Sequence, residues 1–268
     1  MHAQQVPLTR LGFEPDWPAP SHVRAFMTTR SGGVSLAPWD SLNLGEHVGD
    51  NTEHVSRNRA LLAQATGAQA VYLKQVHGWQ VAPLNAHTVQ GAQADVCWTR
   101  DRTVACTMMV ADCLPILVCH PQASWVAAAH AGWRGLAGDG ARGVVEVLAE
   151  TAQSQGLRVA DCLVWLGPCI GPEAFEVGAD VQTAFCSATA NASLEACFRP
   201  KSVGKFQADL AHLARLRLAE VGFEKIYGND SSSPWCTVSQ PSRYFSHRRD
   251  AARLGGTTGR MAAGVWLV

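Results

Sequence analysis

The 268-residue chain is poor in the features that mark most function classes. It has no run of 18 uninterrupted apolar residues, so nothing in it reads as a membrane-spanning helix. Its start, "MHAQQVPLTRLGFEPDW", lacks the charged head and continuous apolar stretch of a secretion signal, which points to a cytoplasmic protein. Formal net charge is zero and the only basic doublet of note is Arg248-Arg249. Without a Lys/Arg cluster there is no electrostatic draw toward nucleic acid or an anionic membrane, and a small molecule is the expected partner. No two histidines stand two apart, so the His-x-His pairs that gather several copper ions are missing. The His-x-Glu and Pro-Cys-x-x-Cys signatures of zinc-dependent base deaminases are missing too. Internal repeats, low-complexity tracts and a domain linker are also lacking, so residues 1–268 read as one domain of open oligomeric state.

What the chain does have is an ordinary globular balance, 47% hydrophobic and 16% charged, enough to bury a sizeable core. Nine cysteines, an odd number without tight spacings, read as mostly reduced core residues, because a chain this long needs no disulfide staples.

The apolar patterning predicts alternating strands and helices. "SHVRAFMTTR" reads as a strand, followed by a long loop, "SGGVSLAPWDSLNLGEHVGD", of a length that is usually functional. A helix is expected from Asp50 as N-cap, with Glu53 completing a capping box, to a stop at Gly67. "AVYLKQVHG" reads as a strand ending at His77. "TVACTMMVADC" and "ILVCHPQASWVAAAHAG" read as three buried strands, the last two joined by a turn at Pro121-Gln122. Further on, helices are expected over "GLAGDGARGVVEVLAETAQSQG", over "PEAFEVGADVQTAFCSA" with Pro172 in its first turn, and over residues 207–222, where Leu210, Leu213 and Leu216 share a face. "CLVWLGPCIG" and the final "MAAGVWLV" are further strands. The order is too irregular for a plain doubly wound sheet and predicts a mixed α/β (α+β) layered fold, a mixed β-sheet core flanked by helices.

Three segments share one grammar: an apolar strand, a soft metal-ligand residue, then glycine or proline. They are "YLKQVHG" with His77, "MMVADCLP" with Cys113, and "VAAAHAGWRG" with His130. If the three strands are neighbours, two imidazoles and a thiolate converge. That set suits zinc at about 2.0–2.3 Å and leaves a fourth position for water or substrate. For each residue taken alone, a satisfied core side chain is the competing reading. Asp112 can orient a ligand or cap a turn. Arg134 can hold an anion or a structural salt bridge, and Trp133 can stack on a planar ligand or simply pack.

Together "TTRSGGVS", "SLNLGEHVGD", "QVHG", "ADCLPIL", "AAAHAGWRG", "GPCIGPEAFEVG", "FSHRRD" and "TGRMAAGVWL" closely resemble the family named for a multicopper polyphenol oxidase, or laccase, domain, from about Ala25 to Val268. The resemblance implies a bacterial cytosolic enzyme with a single layered α/β domain similar to cysteine hydrolases of the cytotoxic-necrotising-factor type. It also implies a zinc site at His77, Cys113 and His130. Activities linked with the family are purine nucleoside phosphorolysis, adenosine deamination, polyphenol oxidation and editing of peptidoglycan precursors. Two places depart from the family pattern: His247 stands where an aromatic is common, and "DAARLGGTTGR" is longer than usual.

Phosphorolysis needs a pocket for the base, an anion site for phosphate and help for a leaving group. Asn43 and Arg59 flank the long loop and the first helix, and with Arg134 they are the expected substrate-binding residues, Arg59 or Arg134 supplying charge for phosphate. The expected reaction is zinc-dependent cleavage of adenosine, inosine or methylthioadenosine by phosphate, with adenosine deamination as a side activity. The alternatives are hydrolysis of a peptidoglycan-precursor amide at the same site and copper-dependent polyphenol oxidation, copper being the less favoured metal.

Overall fold

A computed structural model describes residues 6–139, 142–186, 192–251, 253 and 255–268. In chain order the elements begin with α1 (Leu8–Leu11), β1 (Gly12–Phe13), β2 (Val23–Thr28), α2 (Thr52–Thr66) and β3 (Gln69–Tyr72). Then come β4 (Val81–Leu84), β5 (Val96–Thr99), β6 (Val104–Val110), β7 (Leu114–Cys119), β8 (Val126–Ala131), α3 (Trp133–Ala137), α4 (Val144–Ser154) and β9 (Leu163–Leu166). The remainder is β10 (Glu176–Gly178), α5 (Ala179–Cys186), α6 (Ala192–Glu195), β11 (Phe198–Ser202), β12 (Lys205–Ala208), α7 (Leu210–Glu220), β13 (Lys225–Gly228), α8 (His247–Asp250) and β14 (Met261–Leu267).

Strands β1-β2-β14-β6-β3 form one mixed sheet and β13-β9-β7-β8-β5-β4 another, with a small third sheet, β10-β12-β11. The two large sheets face each other. Val104, Cys106, Met108 and Val110 of β6, Leu117 and Cys119 of β7, and Val126 and Ala128 of β8 fill the space between them. The alternate residues face outward: Ile116, Val118, Ala127 and Ala129 under α4 and α7, and Ala105 and Met109 toward α2. Both faces of β6, β7, β8 and β14 are thus covered, and their sequences are continuous apolar runs rather than alternating ones. The mixed, helix-flanked layering expected from the sequence is present. Among the described residues no helix is long and apolar enough to cross a membrane.

Several boundaries differ from expectation for local reasons. The cap of α2 is Asn51, whose side chain accepts from the backbone of Glu53 and His54. Asp50 is drawn away instead by Ser35 and Asn43. Pro172 does not open a helix: residues 176–178 pair with β12, so the helix begins at Ala179, while positions 187 and 188 of the expected helix lie outside the described residues. The helix expected over 135–156 is split into α3 and α4, with Gly138 at positive φ closing the first; residues 140 and 141 of that span are again outside the described ones. In α7, Gln207 and Ala208 belong to β12, Asp209 caps, and the buried stripe is Leu210, Leu213, Ala214, Arg217 and Leu218, with Leu216 only half-buried.

Candidate metal centre and its cavity

His130 has the same parity along β8 as Val126 and Ala128, so it continues the inter-sheet face, at the end where the two sheets part. Cys113 immediately precedes β7, paired with β8 in the same sheet. His77 comes from the opposite sheet. Its strand, β3, ends at Tyr72, five residues earlier than His77, which lies in the following loop. The three segments are therefore not neighbours in one sheet: the site spans the mouth between two sheets. Beyond the end of β3, Gln75 extends the pairing with its side-chain amide, donating to the Met109 carbonyl and accepting from the Met109 N–H, both at 2.8 Å.

The three donor atoms lie within 4.8 Å of one another, with Cys113 Sγ 3.8 Å from His77 Nε2. Ligands of a tetrahedral zinc-sized ion with bonds of about 2.0–2.3 Å stand about 3.5 Å apart, so the donor set fits such an ion with little movement. The close approach depends on Gly132. A Cβ there would stand 2.7 Å from His77 Cδ2 and 3.1 Å from Cys113 Sγ.

Asp95, a residue the sequence reading passed over, organises the cluster. It is fully buried just before β5. Its carboxylate accepts from the backbone N–H groups of Val76, His77 and Gly78, at 2.9–3.0 Å, and from His130 Nδ1 at 2.8 Å. The first three bonds hold the His77 loop, where His77 itself has φ 61°, a conformation that costs about 1–3 kcal/mol unless its surroundings enforce it. The fourth fixes the His130 ring with Nε2 toward the cluster, the usual service of a carboxylate behind a metal-ligating histidine. Burial works against the Asp95 charge, but His130 and the backbone donors outweigh it and keep its pKa below the usual carboxylate value. Its only sequence signal is an acid set among apolar residues at the start of "ADVCW".

Charge in the cluster follows from the same contacts. Burial alone would push the Cys113 thiol up; His130 and His77 beside it bring it down to about 6. Burial would likewise push His130 down, and the Cys113 sulfur and Asp95 raise it to about 9. The thiol is thereby made a ligand or nucleophile near neutral pH.

The cluster opens into a cavity of about 710 Å³, in the range of small-molecule sites. Tyr72, Met109, Trp133, Ile170 and Phe175 give it apolar walls. Its basic lining residues, Arg59, Lys74, Arg248 and Arg260, outnumber the acidic ones, Glu46 and Asp112. Asp112 is already engaged by the Thr237 hydroxyl and the Arg248 N–H. The long loop contributes Glu46 and His47, and α8 contributes His247.

Of the expected substrate-binding residues, Arg59 lines the cavity, paired with Glu46 at 2.6 Å and stacked 3.9 Å over the Tyr72 ring. Asn43 and Arg134 do not line it. Asn43 is fully buried, with its amide bonded to Gly45, Asp50 and the Arg260 N–H. Arg134 is exposed and lies over the Trp133 ring at 4.3 Å. His120 binds the backbone of its own turn, and His212 stands on α7 away from the cavity lining.

The cluster lies within the stretch that a family model matches. Residues 24–268 fit the family model described as multi-copper polyphenol oxidoreductase laccase. The chain belongs to that laccase-like family. Among its relatives is a protein of Pseudomonas aeruginosa named purine nucleoside phosphorylase, 47% identical over 94% of this chain and 97% of its own length. One from Escherichia coli, named purine nucleoside phosphorylase YfiH, is 45% identical over 95% of this chain and 98% of its own. A crystal structure of a Neisseria meningitidis protein superposes with a TM-score of 0.84 at 43% identity, covering 96% of this chain and 98% of that one. Another, of Bacillus licheniformis YfiH, gives 0.83 at 26%, covering 94% and 98%. The laccase-like name hints at copper, while this member lacks the His-x-His pairs of a multi-copper cluster and, among its described residues, gathers a three-donor His/Cys/His cluster.

Proposed function

We propose that this protein cleaves purine nucleosides with phosphate in the cytoplasm, using a single zinc ion held by His77, Cys113 and His130. The observation that carries the reading is the position of this open three-donor cluster in an apolar cavity whose cations outnumber its acids. The names of the relatives support the same reaction class. Adenosine, inosine and methylthioadenosine are the proposed substrates.

In the reaction a phosphate oxygen bonds to C1′ of the sugar as the bond from C1′ to the base nitrogen breaks. The electron pair and the proton of hydrogen phosphate end on the base, giving free purine and sugar 1-phosphate. A bound zinc ion would supply Lewis-acid polarisation of an oxygen. The chain supplies the rest. Tyr72, Phe175 and Trp133 give aromatic walls for a planar base to pack against, and the cavity's cations draw the phosphate and offset its charge against the apolar walls. Asp95 keeps His130 in one tautomer and one orientation. Replacement of the adenosine 6-amino group by water, releasing ammonia, is a proposed side activity.

The test is incubation of metal-defined protein with each nucleoside, with and without phosphate, and identification of products by mass spectrometry. Phosphate-dependent release of base and sugar 1-phosphate, lost in His130→Ala with the fold retained, is expected. Base release that ignores phosphate, or survives in that variant, overturns the reading. Metal analysis of protein purified without added metal distinguishes zinc from copper.

One observation favours a second reading. The thiol of Cys113, brought to about 6 and facing His130, is also suited to attack an amide. Turnover of nucleotide-linked muramyl peptides without nucleoside cleavage would select it.

A further inference from the structure

Among the cavity's cations only Arg59 has a carboxylate ion pair among the described residues; Lys74 and Arg248 are exposed to solvent, and Arg260 is the half-buried one left without such a pair. Arg59 is neutralised by Glu46. Arg248 directs Nη1 to the carbonyls of Ala174 and Glu176. Arg260 has no carboxylate within ion-pair distance among the described residues, and only its Nη1 is used, by the carbonyls of Thr258 and Gly259. Its other guanidinium donors have no hydrogen-bond partner among the described residues, although the side chain is half-buried and lines the same cavity as Cys113 and His130. A half-buried guanidinium with spare donors facing a cavity is well placed to take a ligand anion by charge-assisted hydrogen bonds.

The root of Arg260 is also held more firmly than binding its own chain requires. Its N–H donates to Asn43 Oδ1 at 2.9 Å, and its carbonyl accepts from the Leu44 N–H at 3.0 Å. Its stem crosses Gly45 so closely that a Cβ there would stand 2.8 Å from Arg260 Cγ. The next residue, Met261, begins β14, paired on both sides by β2 and β6. The charge is therefore presented from a fixed base, which lowers the ordering cost of binding.

We propose that Arg260 is the phosphate-binding residue of this site, its free guanidinium edge receiving the oxyanion that reacts beside the His77–Cys113–His130 cluster, with Asn43 positioning it from behind. The identity of the anion rests on the phosphorolysis reading; the anion site itself does not. Burial opposes the Arg260 charge, while the nearby Cys113 and Asp112 charges favour it. Arg59, stacked on Tyr72 and tied to Glu46, is left to shape the wall.

The experiment uses metal-loaded full-length protein, titrated with inorganic phosphate by calorimetry, together with phosphate and inosine KM values for wild type, Arg260→Gln and Arg260→Lys. Arg260→Gln is expected to weaken phosphate binding and raise the phosphate KM about 10- to 100-fold, the size of one charge-assisted contact, with the inosine KM within about twofold. Arg260→Lys keeps the stem over Gly45 and the charge but loses the forked geometry, and should fall between, at about fivefold or more. Wild-type phosphate binding in either folded variant, or none in the wild type, overturns the proposal. Phosphate binding that depends on Arg260 without nucleoside cleavage would sink the phosphorolysis reading and leave the anion site standing. Phosphorolysis with an unchanged phosphate KM in the variants would do the reverse.

Discussion

Asp95 and His130, 35 positions apart, share a 2.8 Å hydrogen bond, and both are buried. The same carboxylate holds the backbone of His77, so one acidic side chain ties together donors delivered by two different sheets.

Asp95→Asn keeps the size and removes the charge, leaving an amide N–H turned toward donors. Metal affinity should fall about 10- to 100-fold, measured by competition with a chelating dye. Asp95→Ala leaves buried donors unpaired and should cost about 3–5 kcal/mol in urea unfolding. Wild-type metal affinity in Asp95→Asn would show that His130 needs no orienting partner.

The Cys113 thiol is lowered and the His130 imidazole raised, and the two shifts act in opposite pH directions. Cys113 contributes stability that is complete above the ordinary thiol pKa and is lost as pH falls through about 6. His130 contributes stability that is complete below the ordinary imidazole pKa and is lost as pH rises through about 9. In chelator-stripped protein the alkylation rate of Cys113 by iodoacetamide should therefore have its midpoint near pH 6. His130→Ala should move that midpoint upward. A wild-type midpoint at the ordinary thiol value, about 8.5, would contradict the charge arrangement.

Gly132→Ala places a methyl group against His77 and Cys113. The expected result is a folded protein destabilised by about 1–3 kcal/mol that retains far less than one equivalent of metal after dialysis. Full metal retention would mean that the loops yield without separating the donors.

Asn43→Ala removes hydrogen bonds to Gly45, Asp50 and Arg260 from a fully buried position. A loss of about 2–4 kcal/mol is expected in chemical denaturation, since partners lose their bonds without gaining water. A change within about 0.5 kcal/mol would show that the loop is not held by this residue.

Stripping the metal should abolish turnover while far-UV circular dichroism and the folded baseline persist, because the two sheets carry their own core and three ligands are a poor clamp. Unfolding on chelation would make the ion structural instead.

The site was legible in the sequence where chemistry and strand patterning coincide. A histidine at an even step from Val126 and Ala128, and a cysteine between two apolar runs, are visible as interruptions, and the structure brings both together with His77. Asp95 and Arg260 were not legible, since the site residues they meet are distant in the chain: Asp95 reaches His130 across a strand pair, and Arg260 reaches Asn43 and the cavity from beside the last strand. Asn43 shows the converse. It occupies a polar loop, as a ligand-binding residue would, yet its donors and acceptors are turned inward on the loop itself.

The order of apolar and polar residues determined that this chain folds into covered strands with helices outside, because continuous apolar runs can be satisfied only when both faces of a strand are buried. It carried the chemical identity of the three candidate donor side chains as well. Only the tertiary structure decided that His77 arrives from the opposite sheet, that Asp95 binds both halves, and that Arg260 lines the cavity with no ion pair among the described residues. Distances across two packed sheets depend on how their twisted layers meet, and no local pattern along the chain encodes that meeting.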